Sequence, residues 1–244
     1  MSRNFELLKQ LEIEVGAKEE LAPAAPDRVI LKHVSPTNGS ELFGEEVLRL
    51  VQAIFLPATG RPSRYVVFCG VDGESGSSTV CASTARALAL NVTKSVCVVD
   101  ANVRLPRLSG ILGVDTLIPF SSNSISIREQ CAKLSDNLWF AGTELFADDR
   151  GSLLAVEELK HRFLQLQGAF EYLLVDAPGT LVSGDAALLG QLAGAAVLVI
   201  EANSTRKFPA RKAKEALDAT GVRVLGTVLN NRTFAIPEAI YRRL

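Results

Sequence analysis

The chain has 244 residues, 48% of them hydrophobic, and a formal net charge of −1. That length and apolar content suit one large α/β domain with short extensions. A near-neutral chain has no global field to draw nucleic acid or an acidic membrane surface, and no apolar run approaches the ~18 residues of a membrane span.

The N-terminal segment, Met1 to Gln10, has no apolar signal core, so the sequence predicts a cytoplasmic protein. Apolar residues at Leu7, Leu8, Leu11 and Val15 predict a helix over Phe5–Val15. It either docks on a partner or packs on its own domain. An Ala-, Pro- and charge-rich stretch to Pro26 reads as a linker. Arg28 to Val34 can form a short strand. Glu41 to Leu56 has helical spacing through Leu42, Val47, Leu48, Val51 and Phe55, ended by Pro57.

Strands and helices then alternate. Continuous apolar runs predict buried strands at Tyr65–Cys69, Ser95–Val99, Leu138–Ala141, Tyr172–Val175, Ala195–Ile200 and Val222–Leu229. Helices are predicted over Ser78–Leu90, Ser152–Gln167, Gly184–Leu192 and Arg206–Thr220. Ser121–Ser124 reads as a surface loop. Strands buried on both faces and joined by helices imply a three-layer α/β/α fold with a mainly parallel sheet. Ligands in such sheets bind beyond the carboxyl ends of the strands. Cys69, Cys81, Cys97 and Cys131 stand apart, with no C-x-x-C pair, and read as buried small hydrophobes. His33 and His161 lack metal-ligand spacing and read as surface or boundary residues.

The chemistry concentrates in a strand, a Gly-rich loop and a helix that opens on Ser/Thr. Glycines let backbone N–H groups approach phosphate, and the helix N-terminus adds positive dipole. The loop reads Gly70-Val71-Asp72-Gly73-Glu74-Ser75-Gly76-Ser77-Ser78-Thr79. Against the phosphate-loop pattern G-x-x-x-x-G-K-[ST], Gly76 and Ser78 match. Val71 stands at the first glycine and Ser77 at the lysine. A lysine there reaches the β- and γ-phosphates. At an effective dielectric near 20, a unit charge at ~4 Å is worth roughly 4 kcal/mol before desolvation. Losing one preorganised contact costs about 10²–10³ in rate. Asp72 and Glu74 add negative charge beside the loop. The expectation is weak ATP binding or none.

Two further strands end in carboxylates: Val98-Val99-Asp100-Ala101-Asn102-Val103-Arg104 and Leu173-Leu174-Val175-Asp176-Ala177-Pro178. Acids there can hold Mg²⁺ and orient an attacking hydroxyl. The order of these motifs over residues 35–232 resembles the bacterial tyrosine-kinase (BY-kinase) domain, of the deviant P-loop class that includes the MinD and ParA ATPases. Asp100-Ala101-Asn102-Val103-Arg104-Leu105-Pro106 is similar to that family's D-x-D-x-R motif and its following proline. The resemblance implies catalytic roles at Asp100, Asn102 and Arg104, with Asn102 replacing a second aspartate. It implies Mg²⁺ on Ser78, Asp100 and Asp176. It implies ATP or ADP on Gly73, Glu74, Ser75, Gly76, Ser77, Ser78 and Thr79, with Asn230 near the adenine.

Residues 1–34 then form an N-terminal helix and linker, and 233–244 a short tail. Family members also carry E-x-x-R-x-x-R on the helix before the loop, which builds a ring-shaped homo-oligomer. Glu46 and Arg49 keep two of its positions, and Gln52 replaces the third. An ordinary amphipathic helix explains the pair equally well. The family's tyrosine-rich tail is reduced to Tyr241. These departures predict a degenerate member of capsule or exopolysaccharide biosynthesis. It would be a regulatory or scaffold subunit beside a membrane-embedded chain-length regulator or a cognate kinase, cytoplasmic or peripheral at the inner membrane face. The alternative is an active tyrosine kinase or ATPase whose missing charge comes from Arg104, or from Arg206 or Lys207 of a neighbouring subunit. A ParA/MinD-like positioning ATPase is the third reading. Arg206, Lys207, Arg211, Lys212 and Lys214 read as a solvated helix face, with no nucleic-acid partner.

Overall fold

A computed structural model describes residues 29–32, 44–58, 60–114 and 126–231. The predicted helix at Phe5–Val15, the Ser121–Ser124 loop and the tail at 233–244 lie outside the described residues, as do His33 and Tyr241. Among the described residues eight strands form one sheet: β1 (Val29–Lys32), β2 (Tyr65–Gly70), β3 (Val96–Asp100), β4 (Ala132–Lys133), β5 (Leu138–Ala141), β6 (Tyr172–Ala177), β7 (Ala195–Glu201) and β8 (Arg223–Asn230). Their order is β1-β8-β7-β2-β6-β3-β5-β4. Every pairing is parallel except β4 with β5.

The helices are α1 (Glu45–Ile54), α2 (Ser77–Asn91), α3 (Leu108–Leu112), α4 (Val156–Ala169), α5 (Asp185–Ala193) and α6 (Lys207–Asp218). One face of the sheet packs against α1, α2 and α3 through Val51, Val80, Leu88 and Leu108. The other packs against α4, α5 and α6 through Phe163, Leu166, Leu189 and Leu217. Period-2 alternation decides which strand residue serves which core. Val67 and Cys69 face the second group, and Val66 and Phe68 face the first. This is the three-layer α/β/α architecture of the sequence reading. No helix among the described residues is long and apolar enough to cross a membrane.

Three elements escaped the sequence reading: α3, the short antiparallel β4, and a 3₁₀ turn at Thr143–Leu145. The helix expected from Ser152 begins at Val156 instead. Leu153 is taken by an isolated antiparallel bridge to Ala147, which holds 152–155 extended. α1 buries Val47, Leu50, Val51 and Ile54. On its outer side Arg49 donates to Glu45, 2.6 Å away, rather than to Glu46, and both partners are exposed. His161 is exposed on α4, as expected.

Candidate functional site

The central strand β2 ends at Gly70, and its chain turns through residues 71–76 into α2. Gly76 precedes the helix with φ +77°, a left-handed conformation that disfavours side chains. A Cβ on Gly76 would also overlap the Asn230 side-chain amide. Gly76→Ala is therefore expected to cost about 2 kcal/mol, from strain plus displacement of Asn230. Urea unfolding of the two proteins measures it. Helix α2 begins at Ser77, one residue earlier than expected, so the N–H groups of Ser77, Ser78 and Thr79 belong to its open first turn.

Asn230 ends β8, on the far side of β7. Its Nδ2 donates to the Ser75 carbonyl at 3.0 Å, and the residue is buried. Asn230, which the resemblance sets near the adenine, braces the loop through this bond. Asp72 accepts from the Glu74 N–H at 3.2 Å, which shapes the exposed tip. Ser75 is buried, and its hydroxyl has no partner among the described residues.

Parallel register sets Asp100 of β3 beside Asp176 of β6 at the carboxyl edge. Ser78 Oγ donates to Asp176 Oδ2 at 2.6 Å, and Ser77 Oγ to Oδ1 at 3.4 Å. Burial pushes the Asp176 carboxyl up to about 8; the Ser78 bond opposes this and the Asp100 charge adds to it. Burial also raises Asp100, to about 6, against backbone N–H bonds from Leu108, Asn102 and Arg107. The Leu108 bond is 3.1 Å to Oδ2 and the Asn102 bond 3.3 Å to Oδ1. Asp100 thus clamps the chain that follows it. Asn102 closes the same turn, its Oδ1 accepting from the Leu105 N–H at 3.3 Å.

Arg104 does not turn to the loop. Its Nε donates to Asp185 Oδ2 at 3.2 Å, at the first turn of α5. In this structure its charge is paired there rather than beside Ser77. Arg206 and Lys207 open α6 and are exposed.

Four residues that the sequence reading passed over belong to this edge: Gly179, Asp185, Glu144 and Arg107. A Cβ on Gly179 would collide with the Asp72 backbone, so the β6–α5 segment lies directly on the loop. Thr180 and Leu181 N–H groups donate to Gly70 and Val71 carbonyls at 2.8 and 3.1 Å. Burial raises the Glu144 carboxyl, and its charge in turn raises Asp100. Arg107 lines a cavity of about 30 Å³ together with Gly73, Gly76, Ser77 and Ser78. The glycine after Asp176-Ala177-Pro178 was the one sequence signal available for this group.

The residues fit a nucleotide phosphate with Mg²⁺. Gly73 has open space where a Cβ would stand, and the first-turn amides of α2 lie beside it. Ser78 and Asp176 offer the hard oxygen pair that Mg²⁺ prefers. Asp100 has both oxygens engaged by backbone N–H groups.

No protein-family model matches the chain. Six curated proteins do, and each is called a tyrosine-protein kinase. Tyrosine-protein kinase YwqD of Bacillus subtilis is 26% identical over 203 residues, which cover 82% of this chain and 85% of that one. The chain is thus similar to bacterial tyrosine kinases over most of its length. Among solved structures, the chimerical protein CapA2B2 superposes on this chain with a TM-score of 0.64 at 22% identity. That match covers 78% of this chain and 85% of the other. MinD in the MinC:MinD complex of Aquifex aeolicus gives 0.57 at 20% identity, covering 73% and 71%. At those identities the structures speak for the fold alone, a three-layer α/β/α sheet like theirs.

Proposed function

We propose that this BY-kinase-like chain is a regulatory or scaffold subunit of capsule or exopolysaccharide assembly, which binds nucleotide weakly and transfers its terminal phosphoryl group poorly or not at all. Residues 35–232 form its P-loop unit. Its partner is a membrane-embedded chain-length regulator or a cognate kinase, met at the cytoplasmic face. One observation carries the reading. Ser77 stands where the phosphate-binding lysine would, and its hydroxyl turns inward to Asp176. The retained pair Ser78–Asp176 supports a cation site without the charge that would complete it.

Ser78 and Asp176 would hold Mg²⁺, which when bound neutralises β- and γ-phosphate charge. The first-turn amides of α2 would receive phosphate oxygens. Asp100, held by backbone N–H groups, orders the neighbouring turn. The same Ser78–Asp176 geometry also favours the second reading, an active kinase or ATPase.

Transfer of labelled phosphate from ATP to a tyrosine-containing acidic copolymer separates the two. The expected rate is about 10²–10³ below that of the Bacillus subtilis relative, the usual cost of one lost electrostatic contact. An equal rate would sink the regulatory reading.

A further inference from the structure

We infer that Arg107 supplies the cation that Ser77 lacks, its guanidinium gripping the phosphate chain of a nucleoside di- or triphosphate seated on residues 73–78. The inference rests on the reading that this loop takes nucleotide phosphate. Arg107 shares one small cavity with Gly73, Gly76, Ser77 and Ser78, so it faces the loop from the β3 side.

The side chain is available. Among the described residues Arg107 has no ion-pair partner, whereas Arg104, three residues earlier, is held by Asp185. Its origin is fixed. The N–H groups of Arg107 and Leu108 both bond to the Asp100 carboxylate, and α3 starts immediately after. A long side chain from an anchored backbone loses less freedom on binding than one from a loose loop.

Electrostatics favours such a group. Asp72 and Glu74 are exposed at the loop and repel phosphate. Amides alone supply only partial charges. A guanidinium offers paired N–H donors matched to phosphate oxygens, which an ammonium does not.

The test is calorimetric titration with ADP and with pyrophosphate, each with and without Mg²⁺. The proteins are native, Arg107→Ala, Arg107→Lys and the double variant Ser77→Lys/Arg107→Ala. The expected result is a loss of about tenfold or more in Arg107→Ala, the scale of one charge-assisted contact. Arg107→Lys recovers part of it, and the double variant returns to native affinity or above. Unfolding midpoints stay within a degree or so of native, because the side chain is exposed. Equal affinity in native and Arg107→Ala overturns the inference. So does a native protein that ignores ADP while the double variant binds it. A native protein that phosphorylates tyrosine at its relatives' rate overturns the regulatory reading and leaves Arg107 in place.

Discussion

Asp176→Asn is expected to stabilise the protein without Mg²⁺ at pH 8 and to remove most of its pH dependence above pH 6. The cause is a carboxyl that burial lifts to about 8, from an unfolded value near 3.8. Between those values the folded state holds a proton that the unfolded state has released. Stability is therefore highest below about pH 4 for this group and falls as pH rises through 8. Each pH unit is worth at most about 1.4 kcal/mol, so the full fall is on the order of 5 kcal/mol. Asp100, raised to about 6, adds a fall of the same sign over the lower part of that range. Asparagine keeps the shape and still accepts from Ser78, but has no proton to lose. Urea midpoints from pH 5 to 8.5 read the effect. The native curve should fall and the variant's should stay nearly level above pH 6. Mg²⁺ should raise the native protein at pH 8 and leave the variant unmoved. Parallel curves would mean that Asp176 is reached by water or by another charge.

Ser77→Lys is expected to tighten ATP binding about 10²-fold. The gross attraction of a unit charge at ~4 Å is roughly 4 kcal/mol at an effective dielectric near 20. Ordering a lysine side chain takes back about 1.5–2 kcal/mol. The substitution also removes the Ser77 hydrogen bond to Asp176, which at 3.4 Å is long and weak. Calorimetric titration with Mg·ATP measures the change. No gain would mean that residues 70–79 are a turn that merely has the shape of a phosphate cradle.

The sheet was legible because its central strands are nearly unbroken apolar runs. Val66–Cys69, Val96–Val99 and Leu173–Val175 have no polar interruption, and each is buried on both faces. α3 was not legible, because five residues are too few for periodicity. Its start is set by the carboxylate of Asp100, eight residues upstream. Ser152–Ala155 has the composition of a helix start, yet the bridge from Leu153 to Ala147 decides otherwise.

In the site, spacing located Gly76, Ser78 and Asp176, since strand–loop–helix order fixes where they must lie. It could not direct side chains. Arg104 and Arg107 differ by one helical turn in sequence, and only the distant Asp185 decides which of them is engaged. Asn230 reads as a ligand contact on the linear chain. Folding brings it 155 residues back to the Ser75 carbonyl.

The four cysteines make a final point about how the protein reports on itself. Cys69 and Cys97 lie in central strands, Cys81 lies in α2, and all three are sealed from solvent. Burial raises their thiols, Cys69 to about 11, so little reactive thiolate exists at neutral pH even where a reagent could enter. Cys131, on the peripheral 126–133 segment, is 5% exposed. Alkylation of this chain therefore gauges opening rather than surface. Modification at Cys131 alone marks fraying beside β4, and modification at the other three marks loss of the whole sheet.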